Sequence, residues 1–337
     1  MDYTSLLSKT QAEIEEKFAP KKKQGLRLAD VYDALSLSER ADTVRGCGSF
    51  LRFELTSSDS SRLVYANFCK DRLCPSCTWR RSLKVFRHVS KCLDFLEPLG
   101  YRYLFLTLTV KNCSSDDLIK TIDLLNASKI KLFQRAKVKK FLRGAFCALE
   151  ITYNRKTGLF HPHLHCLLAV SSTYFADFYL KQAEWAELWR SCAELDYLPI
   201  VDIRRVKSAN LDVVGSDLAC IEYKKAVSEV AKYTVKDSQY LTGNFELDMF
   251  LVSTLSSALH KRKLCSFIGC FFDAHKKLNL DDSFDGDLVH LSDNLRSEIV
   301  VAIVQYHWRA GVYVPKVIKQ EILPFGSPIP LEYRTVV

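Results

Sequence analysis

Residues 146–170 constrain the fold more than any other stretch of this chain. Two strand-like runs, Phe146–Asn154 and Leu159–Val170, are separated by Arg155, Lys156, Thr157 and Gly158, a short polar loop ending in glycine. Such a pattern predicts a β-hairpin. Strand side chains alternate between faces, so His161, His163 and His165 of the segment His161-Pro162-His163-Leu164-His165 leave the same side. With Asn154 paired to Leu159 across the loop, the register sets Glu150 directly opposite His163. Two imidazoles and a carboxylate on one rigid face make a site for a catalytic divalent cation, with coordination positions left for water or substrate. The donor set suits Mn²⁺ or Zn²⁺, with Mg²⁺ bound more weakly. Three histidines on one strand also describe a polar surface cluster; the cross-strand glutamate favours the metal.

Around this hairpin, Tyr101–Val110 alternates strictly, with Tyr103, Phe105, Thr107 and Thr109 on one face and leucines on the other, as a central strand does. Ser114 to Asp117 open a helix whose apolar side carries Leu118, Ile122, Leu125, Leu132 and Phe133. Phe175–Ala193 reads as one amphipathic helix and Pro199–Val206 as a strand. A helix is expected from Gly215–Asp217 to Asp237, and another over Phe245–Lys263. Residues 1–45 read as a polar helical arm, and 46–82 as two strands, Phe50–Leu55 and Arg62–Phe68, followed by a cysteine-rich turn. Strands and helices interleave without the regular alternation of parallel units, so the expected class is α+β with a mainly antiparallel sheet.

The expected helix to Asp237 carries a second group of reactive residues. Glu229 and Tyr233 are four apart and Lys236 follows three later, so one helical side would present a carboxylate, a phenol and an ammonium. Val227, Val230 and Ala231 on the neighbouring side would pack on the sheet. The pattern is common in helices and gains weight only beside the hairpin, because a phenol with pKa ~10 needs a polarised electrophile and nearby positive charge to act as a nucleophile.

A third group is Cys69-x4-Cys74-Pro75-Ser76-Cys77, preceded by Cys47 between two glycines. Four thiolates satisfy tetrahedral Zn²⁺, and the closing knuckle is of the zinc-ribbon sort. Cys47 is the weakest of the four assignments because of its distance in sequence; reduced structural thiols are the alternative. Lysine plus arginine outnumber aspartate plus glutamate by 48 to 39, and the surplus is clustered, which points to a polyanionic partner. No stretch approaches ~18 consecutive apolar residues and the N-terminus lacks the order of a signal peptide, so no membrane association and a cytoplasmic location are expected.

In this order the motifs resemble those of the rolling-circle plasmid replication initiators (Rep) of the HUH endonuclease superfamily. The strand Phe105-Leu106-Thr107-Leu108-Thr109 is similar to one that precedes H-P-H-x-H in that family, here His161 to His165. E-x-x-K-Y-x-x-K follows, here Glu229 to Lys236 with Lys232 before the tyrosine. The cysteine knuckle and its trailing arginines, Cys74 to Arg81, also resemble the family. The resemblance spans about Cys47 to Tyr240. It implies an HUH endonuclease-like central antiparallel sheet flanked by helices, with His163, His165 and Glu150 holding Mn²⁺ or Mg²⁺ and Tyr233 as nucleophile. Glu229 stands where related phage initiators carry a second tyrosine, which implies a general base there, with Lys236 assisting at the phosphate.

The activity so implied is origin-specific nicking of one DNA strand, with a 5′-phosphotyrosine link and a free 3′-hydroxyl primer. Plasmid double-strand origin DNA, host helicase and host DNA polymerase are the partners this implies, with a homodimer allowed. Arg80, Arg81, Lys84 and Lys232 are the expected DNA-binding residues. The expected segmentation is an N-terminal helical arm (1–45), a cysteine-rich zinc module (46–95), a nicking and joining domain (96–245) and a C-terminal helical region (246–337). A single-tyrosine HUH transposase or relaxase and a non-catalytic zinc-ribbon DNA-binding regulator are the competing readings.

Overall fold

A computed structural model describes residues 3–57, 60–206, 227–231, 234–282, 286–291 and 300–319. Its strands are β1 (Phe50–Thr56), β2 (Ser61–Ala66), β3 (Arg102–Thr109), β4 (Leu142–Asn154), β5 (Leu159–Val170), β6 (Val201–Val206), β7 (Cys265–Gly269), β8 (Val300–Arg309) and β9 (Val312–Lys319). They form two antiparallel sheets, ordered β2-β1-β8-β9 and β6-β3-β5-β4-β7. The α+β expectation with antiparallel pairing is met at that level.

The chain groups into two compact units, Met1–Arg80 with Asp287–Val337, and Arg81–Gly286. This differs from the four consecutive segments read from the sequence, because β1 pairs with β8 along its whole length, from Phe50↔His307 to Thr56↔Val300. A strand pairing across some 250 residues leaves no local trace in the sequence. Nor are residues 1–45 an arm. They form the helices Tyr3–Lys17, Ala19–Ala34 and Ser38–Gly46. Leu6, Ile14, Phe18 and Ala19 share a buried core with Leu51, Phe53 and Leu55 of β1 and with Ala302, Val304 and Tyr306 of β8.

In the second unit, β5 lies between β3 and β4, and its apolar residues build a core on each side. The face bearing Tyr103, Phe105, Phe146, Leu167 and Ala169 packs against Val85, Val89, Cys92 and Leu93 of the helix Pro75–Leu96, against Phe271 and Ala274 of the helix Cys270–Lys277, and against Val227, Val230 and Ala231. Leu104, Leu106, Leu164, Cys166 and Leu168 face the other way, with the helices Leu118–Gln134 and Gln182–Ala193 on the same unit. Edge strand β7 closes against β4 at Gly144↔Gly269, where a Cβ on Gly144 would come within 2.6 Å of the Cys270 nitrogen. Only paired glycines allow that approach.

Three local expectations change. Phe175–Ala193 is two helices, Tyr174–Asp177 and Gln182–Ala193, since the chain opens at Phe178 to let the Leu180 amide donate to the Tyr174 hydroxyl. The helix from Phe245 ends at Leu259 and is followed by β7. The expected helix reaching Asp237 is helical at 227–230 but not at 234–236, where Lys236 has extended backbone before the short helix Asp237–Tyr240. No described helix is long and apolar enough to cross a membrane.

Truncating Phe53 to Ala in the first unit should cost about 3–5 kcal/mol, because the ring is packed edge-on between Phe18 and Tyr306. Urea unfolding followed by limited proteolysis is expected to show the N-terminal helices and β8 becoming protease-sensitive together.

Candidate metal centre and its surroundings

The hairpin forms with the expected register. Asn154 pairs with Leu159 and Glu150 with His163, while β3 brings Thr109 opposite His163 and Thr107 opposite His165 on the other side. Glu150, His163 and His165 therefore rise from one face of adjoining strands, each more than nine-tenths buried. Nε2 of His163 and His165 are 3.1 Å apart, and Oε2 of Glu150 lies 2.8 Å from His165 Nε2 and 3.4 Å from His163 Nε2. Burial alone raises the Glu150 carboxyl, but the two imidazoles hydrogen-bonded to it outweigh this and hold it well below the usual carboxylate range.

The opposite ring nitrogens are held as well. Nδ1 of His163 donates to the His161 carbonyl at 3.1 Å, and Nδ1 of His165 lies 3.2 Å from the Thr107 hydroxyl. With Nδ1 of each ring held by the protein, both Nε2 atoms converge on the carboxylate, and a divalent ion bound there would replace the proton shared between Nε2 and Glu150, as in a metal site. Three donors on one face of a six-coordinate cation at ~2.1 Å would be ~3.0 Å apart, close to the observed triangle. The residues thus fit a divalent ion with positions to spare. His161 does not join them; its Nδ1 is 2.8 Å from the Asn112 side-chain oxygen, and the ring lies against that of His163 with centroids 5.0 Å apart.

Strand β4 also bonds to segments beyond the hairpin. The Leu149 amide donates to the Leu264 carbonyl, and the Ile151 amide donates to the Thr234 carbonyl at 2.7 Å. Thr234 is thereby tied to the residue next to Glu150. Glu229 is half-buried in the helical segment 227–230, whose Val227 and Val230 pack on the sheet face that carries Phe105, Phe146 and the two histidines. Lys236 is exposed, and being outside that helix it does not share a helical side with Glu229. Tyr233 and Lys232 lie outside the described residues.

The four cysteines converge in the first unit. Sγ of Cys47 is 3.5 Å from those of Cys74 and Cys77, and Cys69 Sγ is 3.7 Å from Cys77 Sγ. A tetrahedron of thiolates at ~2.3 Å from zinc has edges of ~3.8 Å, so the cluster fits that ion, Cys47 included. Backbone amides of Cys69, Lys70 and Asp71 donate to Cys47, Cys77 and Cys69 sulfurs at 3.2–3.4 Å, and Lys70 takes a left-handed φ of 61° to aim its amide. Such donors stabilise thiolate charge. Asp71 fixes the knuckle by accepting from Arg40 Nε and from the amides of Leu73 and Cys74.

Sequence reasoning missed Lys22. Its ammonium, buried beside the cluster, donates to the carbonyls of Arg45 and Cys47 at 2.6 and 2.8 Å. Burial lowers its pKa, and the neighbouring cysteines oppose that shift. Thr107, which holds His165, was equally invisible as a functional residue: alternation grouped it with Tyr103, Phe105 and Thr109, but only the pairing of β3 with β5 puts that face beside the histidines.

The arginines after the knuckle require a correction. Arg80, Arg81 and Lys84 are buried at 8, 4 and 2% exposure. Arg80 donates to the carbonyls of Leu288 and Val289, and Lys84 pairs with Asp281. The Arg80 and Lys84 charges are thus satisfied inside the protein, and all three side chains are withdrawn from the surface that DNA could reach.

Comparison with known proteins places the chain in a family. A family model described as replication protein matches residues 60–314. The chain is 39% identical to a "Protein rep" of Bacillus amyloliquefaciens, covering 92% of this chain and 96% of that protein. It is 38% identical to a "Protein rep" of Streptococcus pneumoniae over 86% of this chain and 88% of that one, and 36% identical to a "Replication protein" of Staphylococcus aureus over 64 and 91%. No solved structure gives a significant match. With a family match over most of its length and relatives this similar end to end, the chain belongs to the replication protein family of plasmid replication initiators.

Proposed function

We propose that the protein initiates rolling-circle replication by nicking one strand of a plasmid origin, with Tyr233 as nucleophile. The observation that carries this reading is the convergence of Glu150, His163 and His165 on one sheet face. A divalent ion bound there, Mn²⁺ or Mg²⁺, would draw charge from a non-bridging oxygen of the scissile phosphate. The Tyr233 oxygen attacks phosphorus as the bond to the 3′ oxygen breaks. Its proton is lost to solvent or a nearby base, and the departing oxygen gains one to become the primer hydroxyl. The new phosphotyrosine is a diester, so the bond energy is kept for rejoining.

Support for Tyr233 comes from the E-x-x-K-Y-x-x-K motif and from the bond between Ile151 and Thr234, the residue that follows the tyrosine. Glu229 would activate the water or hydroxyl that ends the round, and Lys236 and Lys232 would hold phosphate from neighbouring positions. The cysteine cluster would hold a structural Zn²⁺. In this reading the substrate strand is unpaired at the nick, as in a hairpin or supercoiled origin.

An origin-derived oligonucleotide with Mn²⁺ should give a denaturant-resistant protein–DNA adduct that disappears in Tyr233→Phe and on chelation. An adduct persisting in that variant would remove Tyr233 as nucleophile. His163→Ala and Glu150→Ala should each reduce cleavage by about 100-fold or more, while Thr107→Val should weaken Mn²⁺ dependence by about 10–100-fold through loss of support to His165. Elemental analysis of purified protein should find about one zinc per chain, lost in Cys74→Ser together with the fold of the first unit, as expected where metal binding is coupled to folding.

A further inference from the structure

The outer face of the β2-β1-β8-β9 sheet is built unlike its inner face. Leu51, Phe53, Leu55, Val304 and Tyr306 point into the core, so the alternate residues Phe50, Arg52, Gln305 and His307 point outward. Across β2, β1 and β8, three outward rings stand in a row. Phe50 lies 5.6 Å from Tyr65 and 5.0 Å from His307 between centroids, and Val314 of β9 sits opposite His307. Tyr65 is 45% and Val314 42% exposed, a wide aromatic and apolar strip for a sheet surface left open to water.

Cations frame the strip. Arg309 and Lys316 are exposed on β8 and β9, while Arg52 is buried against the rings of Phe50 and Tyr65 at 5.7 and 5.8 Å and supports them from the sheet. Among the described strand residues of this face, Glu54 is the acidic one, and it is paired with Arg62. An apolar protein partner would not call for this excess of positive charge, and a duplex would present its bases edge-on and stacked, out of reach of the rings. Rings within reach of solvent and phosphate-binding cations on a flat sheet are the two elements of a surface that takes unpaired nucleic acid.

We propose that this face binds a single strand of DNA, with bases stacking on Tyr65, Phe50 and His307 and phosphates meeting the exposed Arg309 and Lys316. The inference rests on the reading of the protein as an origin-nicking initiator and adds a strand-holding surface that is separate from the nicking residues. Bases are recognised by their π-faces, so affinity here is largely independent of sequence.

The test uses the full-length protein in chelator, with a labelled oligothymidine 20-mer and anisotropy as readout. Tyr65→Ala should weaken binding by about tenfold, and Tyr65→Phe should restore it, since stacking rather than the hydroxyl is at work. Arg309→Glu with Lys316→Glu should reduce the slope of log affinity against log salt by about 0.7 for each cation lost. Photocrosslinking from bromodeoxyuridine should map to Tyr65 or His307. Variants that keep their circular dichroism and zinc content yet bind within twofold of the parent would overturn the proposal, as would crosslinks confined to residues 81–286. Cleavage of a short oligonucleotide covering only the nick should be unchanged in Tyr65→Ala. Failure of the parent to cleave, with Tyr65-dependent binding retained, would count against the nicking reading and leave this surface standing.

Discussion

The register of one antiparallel hairpin decides whether Glu150, His163 and His165 meet. A slip of a single residue between β4 and β5 would turn either Glu150 or the two histidines to the opposite face. The four-residue turn after Asn154, with Gly158 at a φ of 69°, fixes that register. Central placement between β3 and β7 then removes its freedom to slide. Buried charge would be costly on such a face without partners, and here each imidazole meets the carboxylate on one side and an oxygen from the protein on the other. The donors are therefore set before any ion arrives, which is the condition for tight and oriented binding.

The two sheets solve different physical problems. In the second unit the sheet face that carries Glu150, His163 and His165 is divided along its length: one end is covered by helices packed on Phe105, Phe146 and Leu167, and the other carries the polar triad. The apolar end supplies the burial that holds a polar end in place. In the first unit the sheet is covered on its inner face by the N-terminal helices, and four cysteine sulfurs gather beside it. Lys22 would offset part of the negative charge of the four cysteines as thiolates, at the cost of burying an ammonium.

Much was legible in the residues themselves. Alternation in β3, β4 and β5, the turn between the last two and the resulting Glu150–His163 pairing follow from a period of two, a property of the backbone that needs no tertiary information. The knuckle Cys74–Cys77 was equally local, and Cys47 joined it despite a gap of 22 residues because β1 and β2 bring the intervening chain back on itself. The basic run after the knuckle was misread as a DNA contact for a physical reason: charge is visible in sequence, but the direction of a helical side chain relative to a distant loop is not. Arg80 and Lys84 are satisfied by residues some 200 positions away.

The sequence alone determined the hairpin, the convergence of Glu150, His163 and His165 upon it, and the cysteine cluster, since each depends on spacings within tens of residues. Tertiary structure decided the rest. It joined β1 to β8, converted an apparent arm into half of a core, buried three expected DNA-binding cations and left an aromatic row with its flanking cations on an open sheet face. Those outcomes depend on which distant surfaces exclude water together, and burial of that kind is a property of the assembled chain that no local pattern encodes.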